Sequence, residues 1–247
     1  MKRLFFVLAV LSAAVAESAQ PNAAVKDVEV EPPFRPITVD VEGVPAEGLF
    51  NYNFWRIQTS AEKTNGMHRL CQVWRDATSC QAIPDGCDSR LEVTELKDGR
   101  FFVDWYFTVV STNLPPLPRV GITFPVRKTF TNVRWHGRGP WENYPSRREG
   151  TKLGVYAANM NLVSDINHPD FGYRSACRWV EVVEPTGRGI RIDAVNAPFG
   201  FSIRPTSKVE DGYYVRVDAY ISGEIVPGQT PHKRPETYHL SLLMSEI

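Results

Sequence analysis

The chain has 247 residues, with 28 lysines and arginines against 28 aspartates and glutamates, so its formal net charge is zero. A balance of this kind offers no electrostatic track for nucleic acid and no basic face for an acidic membrane surface. With 43% apolar and 11% aromatic residues, the composition is that of an ordinary globular domain rather than a disordered or fibrous chain.

Residues 1–16 read as an export signal. Met1-Lys2-Arg3 is a basic start, Leu4 to Ala13 an apolar stretch, and Ala14-Val15-Ala16 a small-x-small cleavage site. The apolar stretch falls short of the ~20 residues that span a bilayer as a helix. No membrane span is expected, and the mature protein is expected in the periplasm or outside the cell. Residues 17–48 hold Pro21, Pro32, Pro33, Pro36 and Pro45 and read as an extended lead-in with one candidate strand at Ile37 to Val41.

From Leu49 onward the sequence reads as one domain, residues 49–247. Apolar and β-branched runs recur at Met67–Val73, Leu91–Leu96, Phe101–Ser111, Arg119–Phe124 and Phe130–Trp135. They continue at Ala176–Val183, Ile190–Val195, Phe199–Ile203, Tyr213–Ile221 and Tyr238–Met244. Many alternate: Phe101, Val103, Trp105 and Phe107 share one face of a strand, and Phe102, Asp104, Tyr106 and Thr108 the other. Turn signals such as Lys97-Asp98-Gly99 separate the runs. The expected fold is all-β, an antiparallel sandwich or barrel. Arg148–Asn159 is expected to be irregular, because Gly150 and Gly154 interrupt it.

Chemistry concentrates between Val133 and Arg148. The run Phe130–Trp135 is expected to break into a loop at Gly137, Gly139 and Pro140, where glycines and a proline shape the backbone. That loop carries Trp141, Glu142, Asn143 and Tyr144 with Arg138 and Arg147. Charges beside flat aromatic faces suit a sugar ring, which stacks through its apolar face and hydrogen-bonds through its hydroxyls. The structural alternative places Trp135 in the core and pairs Glu142 with Arg138 or Arg147. No nucleophile elbow, Walker loop or H-E-x-x-H motif is present. The histidines, His68, His136, His168, His232 and His239, are scattered and read as surface or capping residues. Export would place Cys71, Cys80, Cys87 and Cys177 in an oxidising compartment. Four cysteines allow three pairings, and Cys80–Cys87, flanking Pro84-Asp85-Gly86, is the first expectation. Paired C-x-x-C spacings are absent, so no metal or cofactor is expected.

The stretch Trp135-His136-Gly137-Arg138-Gly139-Pro140-Trp141-Glu142-Asn143-Tyr144-Pro145-Ser146-Arg147 resembles the W-x-G-x-G-P-x-E-x-Y-x-D-R signature of the C-terminal domain, or small chain, of family-2 β-galactosidases. Four further stretches agree in order. Asn53-Phe54-Trp55-Arg56 resembles the N-F-W-R that opens that domain, and Leu117-Pro118-Arg119-Val120-Gly121 its P-R-x-G strand. Gly172-Tyr173-Arg174-Ser175-Ala176-Cys177-Arg178-Trp179 is similar to G-N-R-x-x-x-R-W, and Phe199-Gly200-Phe201-Ser202 to F-x-F-S. The resemblance implies an antiparallel β-supersandwich of the galactose-mutarotase-like type, which packs beside a (β/α)8 barrel bearing the two catalytic glutamates. A barrel needs about 250 residues of its own, so no catalytic residue is expected here.

The implied role is binding of a β-galactoside or other carbohydrate, or completion of the sugar site of a barrel-bearing β-galactosidase chain. Trp141 is the expected stacking platform; Arg138, Glu142, Asn143 and Tyr144 are the expected polar and aromatic neighbours. A free-standing carbohydrate-binding module and a mutarotase-like enzyme are the alternatives. Two departures stand out. Ile57-Gln58-Thr59-Ser60-Ala61-Glu62 replaces the family's A-P-T-D-N-D, read as losing its proline and two acidic positions, and Ser146 replaces the signature Asp.

Overall fold

Period-two alternation, where it runs unbroken, has become strand. A computed structural model describes residues 6–7, 38–39, 50–145, 148–160, 172–205, 212–225 and 236–247. The export-signal and lead-in readings therefore lie outside the described residues, apart from the two-residue strands β1 (Phe6–Val7) and β2 (Thr38–Val39), which pair antiparallel. The domain opens with β3 (Asn51–Asn53), then α1 (Ser60–Thr64), α2 (Met67–Leu70) and α3 (Gln72–Cys80). Strands follow as β4 (Cys87–Glu95), β5 (Phe101–Val109), β6 (Arg119–Val126), β7 (Asn132–Gly139) and β8 (Lys152–Asn159). The rest are β9 (Arg174–Cys177), β10 (Trp179–Val183), β11 (Gly189–Ala194), β12 (Phe199–Pro205), β13 (Tyr213–Ile221) and β14 (Glu236–Glu246).

Two antiparallel sheets face each other. One has the order β4-β5-β14-β11-β10-β7-β8, the other β3-β6-β13-β12-β9. Side chains from the inner faces meet between them. Trp135 of β7 meets Phe201 of β12 edge-on at 5.7 Å, and Tyr52 of β3 stacks on Trp105 of β5 at 5.4 Å. Trp105, Trp135, Phe107, Phe124 and Phe201 are all fully buried. Each ring removes roughly 150–250 Å² from water, so these aromatics dominate the driving force for closing the sandwich.

Four local expectations are corrected. Met67–Val73 is helical, because Met67, Cys71, Trp74 and Ala77 recur at helix spacing and are the buried positions of α2 and α3 and their junction. Arg148–Asn159 contains a regular strand: β8 pairs with β7 from Asn132↔Asn159 to Gly139↔Lys152. The glycines leave room for the Tyr156 ring, which would lie 2.7 Å from a Cβ on Gly139 and 3.2 Å from one on Gly154. β7 does not break after Trp135 but runs on to Gly139. At Gly137 a Cβ would stand 2.5 Å from Cys177 Sγ and 3.0 Å from its Cα, so β7 and β9 approach too closely for any side chain there. Finally, the single run Ala176–Val183 spans two strands, β9 and β10, which belong to different sheets.

Two buried ion pairs tie distant segments together. Arg119 Nε donates to Asp218 Oδ1 at 2.6 Å, and its Nη2 bonds Asp218 Oδ2 and, at 3.1 Å, Ser202 Oγ. Arg56 grips Glu62 with two hydrogen bonds, of 2.8 and 2.6 Å, and reaches Gly223 O at 2.6 Å. Glu62 therefore keeps one of the acids read as lost from A-P-T-D-N-D: its carboxylate fills the last position of that stretch. It closes a capping box on Thr59 and accepts the Ile225 N–H at 2.7 Å.

Burial alone would push the Glu62 carboxyl pKa up, but hydrogen bonds from Arg56, Ile225 and Thr59 outweigh it and hold the pKa below the ordinary value. With the folded pKa below the unfolded one, the stabilisation is present above roughly pH 4.3 and is lost as pH falls through the folded value. Urea unfolding followed from about pH 6 down to pH 3 should show stability falling with pH. Glu62→Gln should flatten that fall and cost about 3–5 kcal/mol near neutrality, since it strands the Arg56 charge.

Candidate functional site

The loop after β7 is built around one buried amide. Asn143 is fully buried, and its side-chain amide and backbone N–H are engaged. Its Nδ2 donates to Trp141 O at 3.0 Å and Arg138 O at 3.4 Å. Its Oδ1 accepts the Ser175 N–H at 2.8 Å together with the Ser175 hydroxyl, and its own N–H donates to Tyr173 O at 2.8 Å. One residue thus clasps the loop, through its side chain to Ser175 of β9 and through its backbone N–H to the segment before it. Around this clasp, Trp135 Nε1 donates to Arg138 O at 3.1 Å, and the Tyr144 ring stacks on Tyr173 at 5.7 Å. Glu142 Oε2 accepts the Gly172 N–H at 3.2 Å, and Arg138 Nη1 donates to Thr151 O at 3.2 Å. The Gly139–Pro140 peptide is cis. Trp141 follows it with its indole 71% exposed.

The five expected contact residues therefore separate by role. Trp141 stands out from the loop, where a stacking platform belongs. Arg138, Glu142 and Tyr144 are half-buried around it. Asn143 faces inward, its side-chain amide engaged within the fold, and it positions the loop. Trp135 is core, 1% exposed. Arg147 and Ser146 lie outside the described residues.

Sequence reasoning passed over Arg174, quoted only as part of a strand motif. It is 7% exposed and lies over the Trp135 ring, 5.4 Å from its centroid. Its Nε and Nη1 are buried without a hydrogen-bond partner among the described residues. Burial pulls its pKa down, opposed by the charges of Glu142, Cys177 and Tyr144. Arg174 adjoins Ser175, whose N–H the Asn143 side chain of the loop accepts. The residue type and motif were visible; its lack of a partner emerges only once β7 and β9 are brought together.

The other expected chemistry is dispersed. His239 Nε2 lies 2.6 Å from Asp104 Oδ1 and its ring stacks on Tyr106, on the outer face of the seven-stranded sheet. β11 and β10 separate its strand from β7. His168 and His232 lie outside the described residues. In the structure all four cysteines are free, Cys80 exposed and Cys87 partly buried. Gln81 ends α3 in a left-handed conformation and its side chain is tied to the Tyr52 backbone. Burial pushes the Cys71 thiol up to about 11 and Cys87 to about 12, far from the thiolate a reactive cysteine needs. Among the described residues no helix is long and apolar enough to cross a membrane.

Comparison with known proteins adds an independent line. The family model for the β-galactosidase small chain matches residues 40–212. A β-galactosidase of Priestia megaterium is 27% identical over 165 residues, 58% of this chain and 16% of that enzyme. One from Lactobacillus delbrueckii subsp. bulgaricus is 27% identical over 190 residues, 66% of this chain and 18% of that enzyme. One from Vibrio vulnificus is 31% identical over 110 residues, 43% of this chain and 10% of that enzyme. The chain spans less than a fifth of the length of these relatives.

The clasp makes a clear forecast for stability. Asn143→Ala removes several buried hydrogen bonds and leaves their partners unsatisfied, and should cost roughly 2–3 kcal/mol in urea unfolding. Trp141→Ala, on the exposed rim, should stay within about 0.5 kcal/mol of the parent. Equal losses in both variants would contradict this division of roles.

Proposed function

Because the chain belongs to the β-galactosidase small-chain family, we propose that it is the non-catalytic part of a two-chain carbohydrate-processing assembly. In this reading it presents the Trp141 loop to a sugar site that a barrel-bearing β-galactosidase chain completes. The observation that carries the reading is the exposed Trp141 indole held on a fully buried frame at Asn143. An indole exposed this far has lost the usual gain from burial, and a preorganised flat face suits the apolar side of a galactosyl ring. Catalysis is assigned to the partner, because the chain matches only 16–18% of its relatives' length in the two longest comparisons and the resemblance locates the catalytic glutamates on the barrel. The amino-terminal sixteen residues support export, which would put the assembly outside the cytoplasm.

A free-standing carbohydrate-binding module is the nearest alternative, and it differs in needing no partner chain. A mutarotase-like activity comes last: its histidine and carboxylate would have to flank the sugar, whereas two strands lie between β7 and the strand of His239, and three between β7 and the strand of Asp104.

The purified chain alone should give no hydrolysis of a chromogenic galactoside above a blank. Activity should appear, or rise, when the barrel-bearing chain from the same genome is added, and Trp141→Ala should weaken that gain several-fold, the loss of about 1 kcal/mol of stacking. Turnover by the chain alone would overturn the non-catalytic assignment. Galactoside binding with no effect of the added chain would favour the free-standing module.

A further inference from the structure

Four arginines of the described residues are almost wholly buried: Arg56, Arg119, Arg174 and Arg216. Arg56 and Arg119 each hold a carboxylate, Glu62 and Asp218. Arg174 is different. Its Nε and Nη1 find no acceptor among the described residues, although only 7% of it is exposed. A guanidinium does not escape this by losing its proton, since arginine stays charged in proteins. Two buried N–H donors of a charged group without an acceptor are costly and call for one.

Its position says where that partner enters. Arg174 begins β9, the edge strand of the five-stranded sheet, and its guanidinium lies over Trp135, one strand in from the opposite edge of the other sheet. It therefore sits between the sheets at the side of the sandwich that the Trp141 loop covers, with Glu142 and Tyr144 as its charged and titratable neighbours. Arg138 and Arg148 add positive charge around the same loop, the latter felt as far in as Tyr173.

We propose that Arg174 is the base of an anion subsite behind the Trp141 loop, and that the saccharide this protein takes carries a carboxylate or a sulfate. The ring packs on Trp141, and the acidic group passes inward past Glu142 and Tyr144 to accept the Nε–H and Nη1–H of Arg174. This deepens the sugar-binding reading above and rests on it for the class of ligand. The Arg174 anion site itself does not depend on the partner chain. Charge-assisted hydrogen bonds to oxyanions are the strong kind, so this contact should dominate selectivity between acidic and neutral sugars.

The test uses the full chain with three probes: galacturonate, galactose and inorganic sulfate. Tryptophan emission, with Trp135 under the guanidinium as reporter, and the melting temperature both follow binding. Galacturonate should bind roughly tenfold or more tightly than galactose, and Arg174→Met should abolish that preference. Arg174→Lys, which keeps the charge without the planar donors, should retain part of it. If both sugars bind equally in parent and variant, the anion subsite is refuted and the sugar reading survives. If sulfate binds and is lost in Arg174→Met while neither sugar binds, the anion site stands and the sugar reading falls. If no probe binds, or if acid binding is untouched by Arg174→Met, the subsite is refuted, and Arg174 is satisfied by water alone. Should Arg174→Met fail to fold, Arg174→Lys carries the test: a galacturonate preference unchanged in that variant refutes the subsite.

Discussion

The structure turns on the ion pair between Arg119 and Asp218. Asp218 occupies the place where any residue but glycine at 121 would collide with it: a Cβ there would stand 2.0 Å from Oδ1. The P-R-x-G pattern is thus one physical unit, an arginine and the space its carboxylate partner needs. From this pair the order spreads outward. Arg119 also bonds Ser202 of β12 and lies 6.0 Å from the Tyr173 ring. Tyr173 is fixed there, its phenol pushed well above the ordinary value by burial foremost and then by the Asp218 charge. Its carbonyl receives Asn143, and its ring receives Tyr144. A charge pair in the middle of one sheet therefore fixes the loop on the other, through a single tyrosine.

The sequence announced most of this frame because it is written in short-range pattern. β5 alternates strictly, and so do its buried positions. Where the pattern was ambiguous the reading failed for identifiable reasons. Met67–Val73 is a short apolar run, in which strand and helix are hard to tell apart until Trp74 and Ala77 are included and the longer period shows. Gly150 and Gly154 looked like interruptions of β8, yet Gly154 with Gly139 only gives way to the Tyr156 ring. In a strand, a missing side chain often records a neighbour's bulk rather than a break.

The site was legible in its residues and not in their directions. Trp141 and Asn143 are two positions apart in a loop, and nothing in their identities says that one faces solvent and the other the interior. That is decided by Ser175 and Tyr173, some thirty residues away, which provide the partners for the amide. The isolation of Arg174 is likewise a property of its surroundings: its burial comes from strands β7 and β9 meeting through Gly137 and Cys177.

The Asn143 clasp also separates the loop's shape from its outward chemistry. The core of the shape is held by the inward Asn143 side chain and by main-chain carbonyls at Arg138, Trp141 and Tyr173, with Trp135, Glu142 and Tyr144 bracing it, and carbonyls are supplied by any residue. Positions facing outward are consequently free to drift without unravelling the turn, which makes the loop tip an interchangeable cartridge on a constant mount. Relatives that share the amide and its receiving strand could display quite different recognition tips on the same backbone. A library randomised at position 141 alone would change the exposed tip at almost no risk to folding.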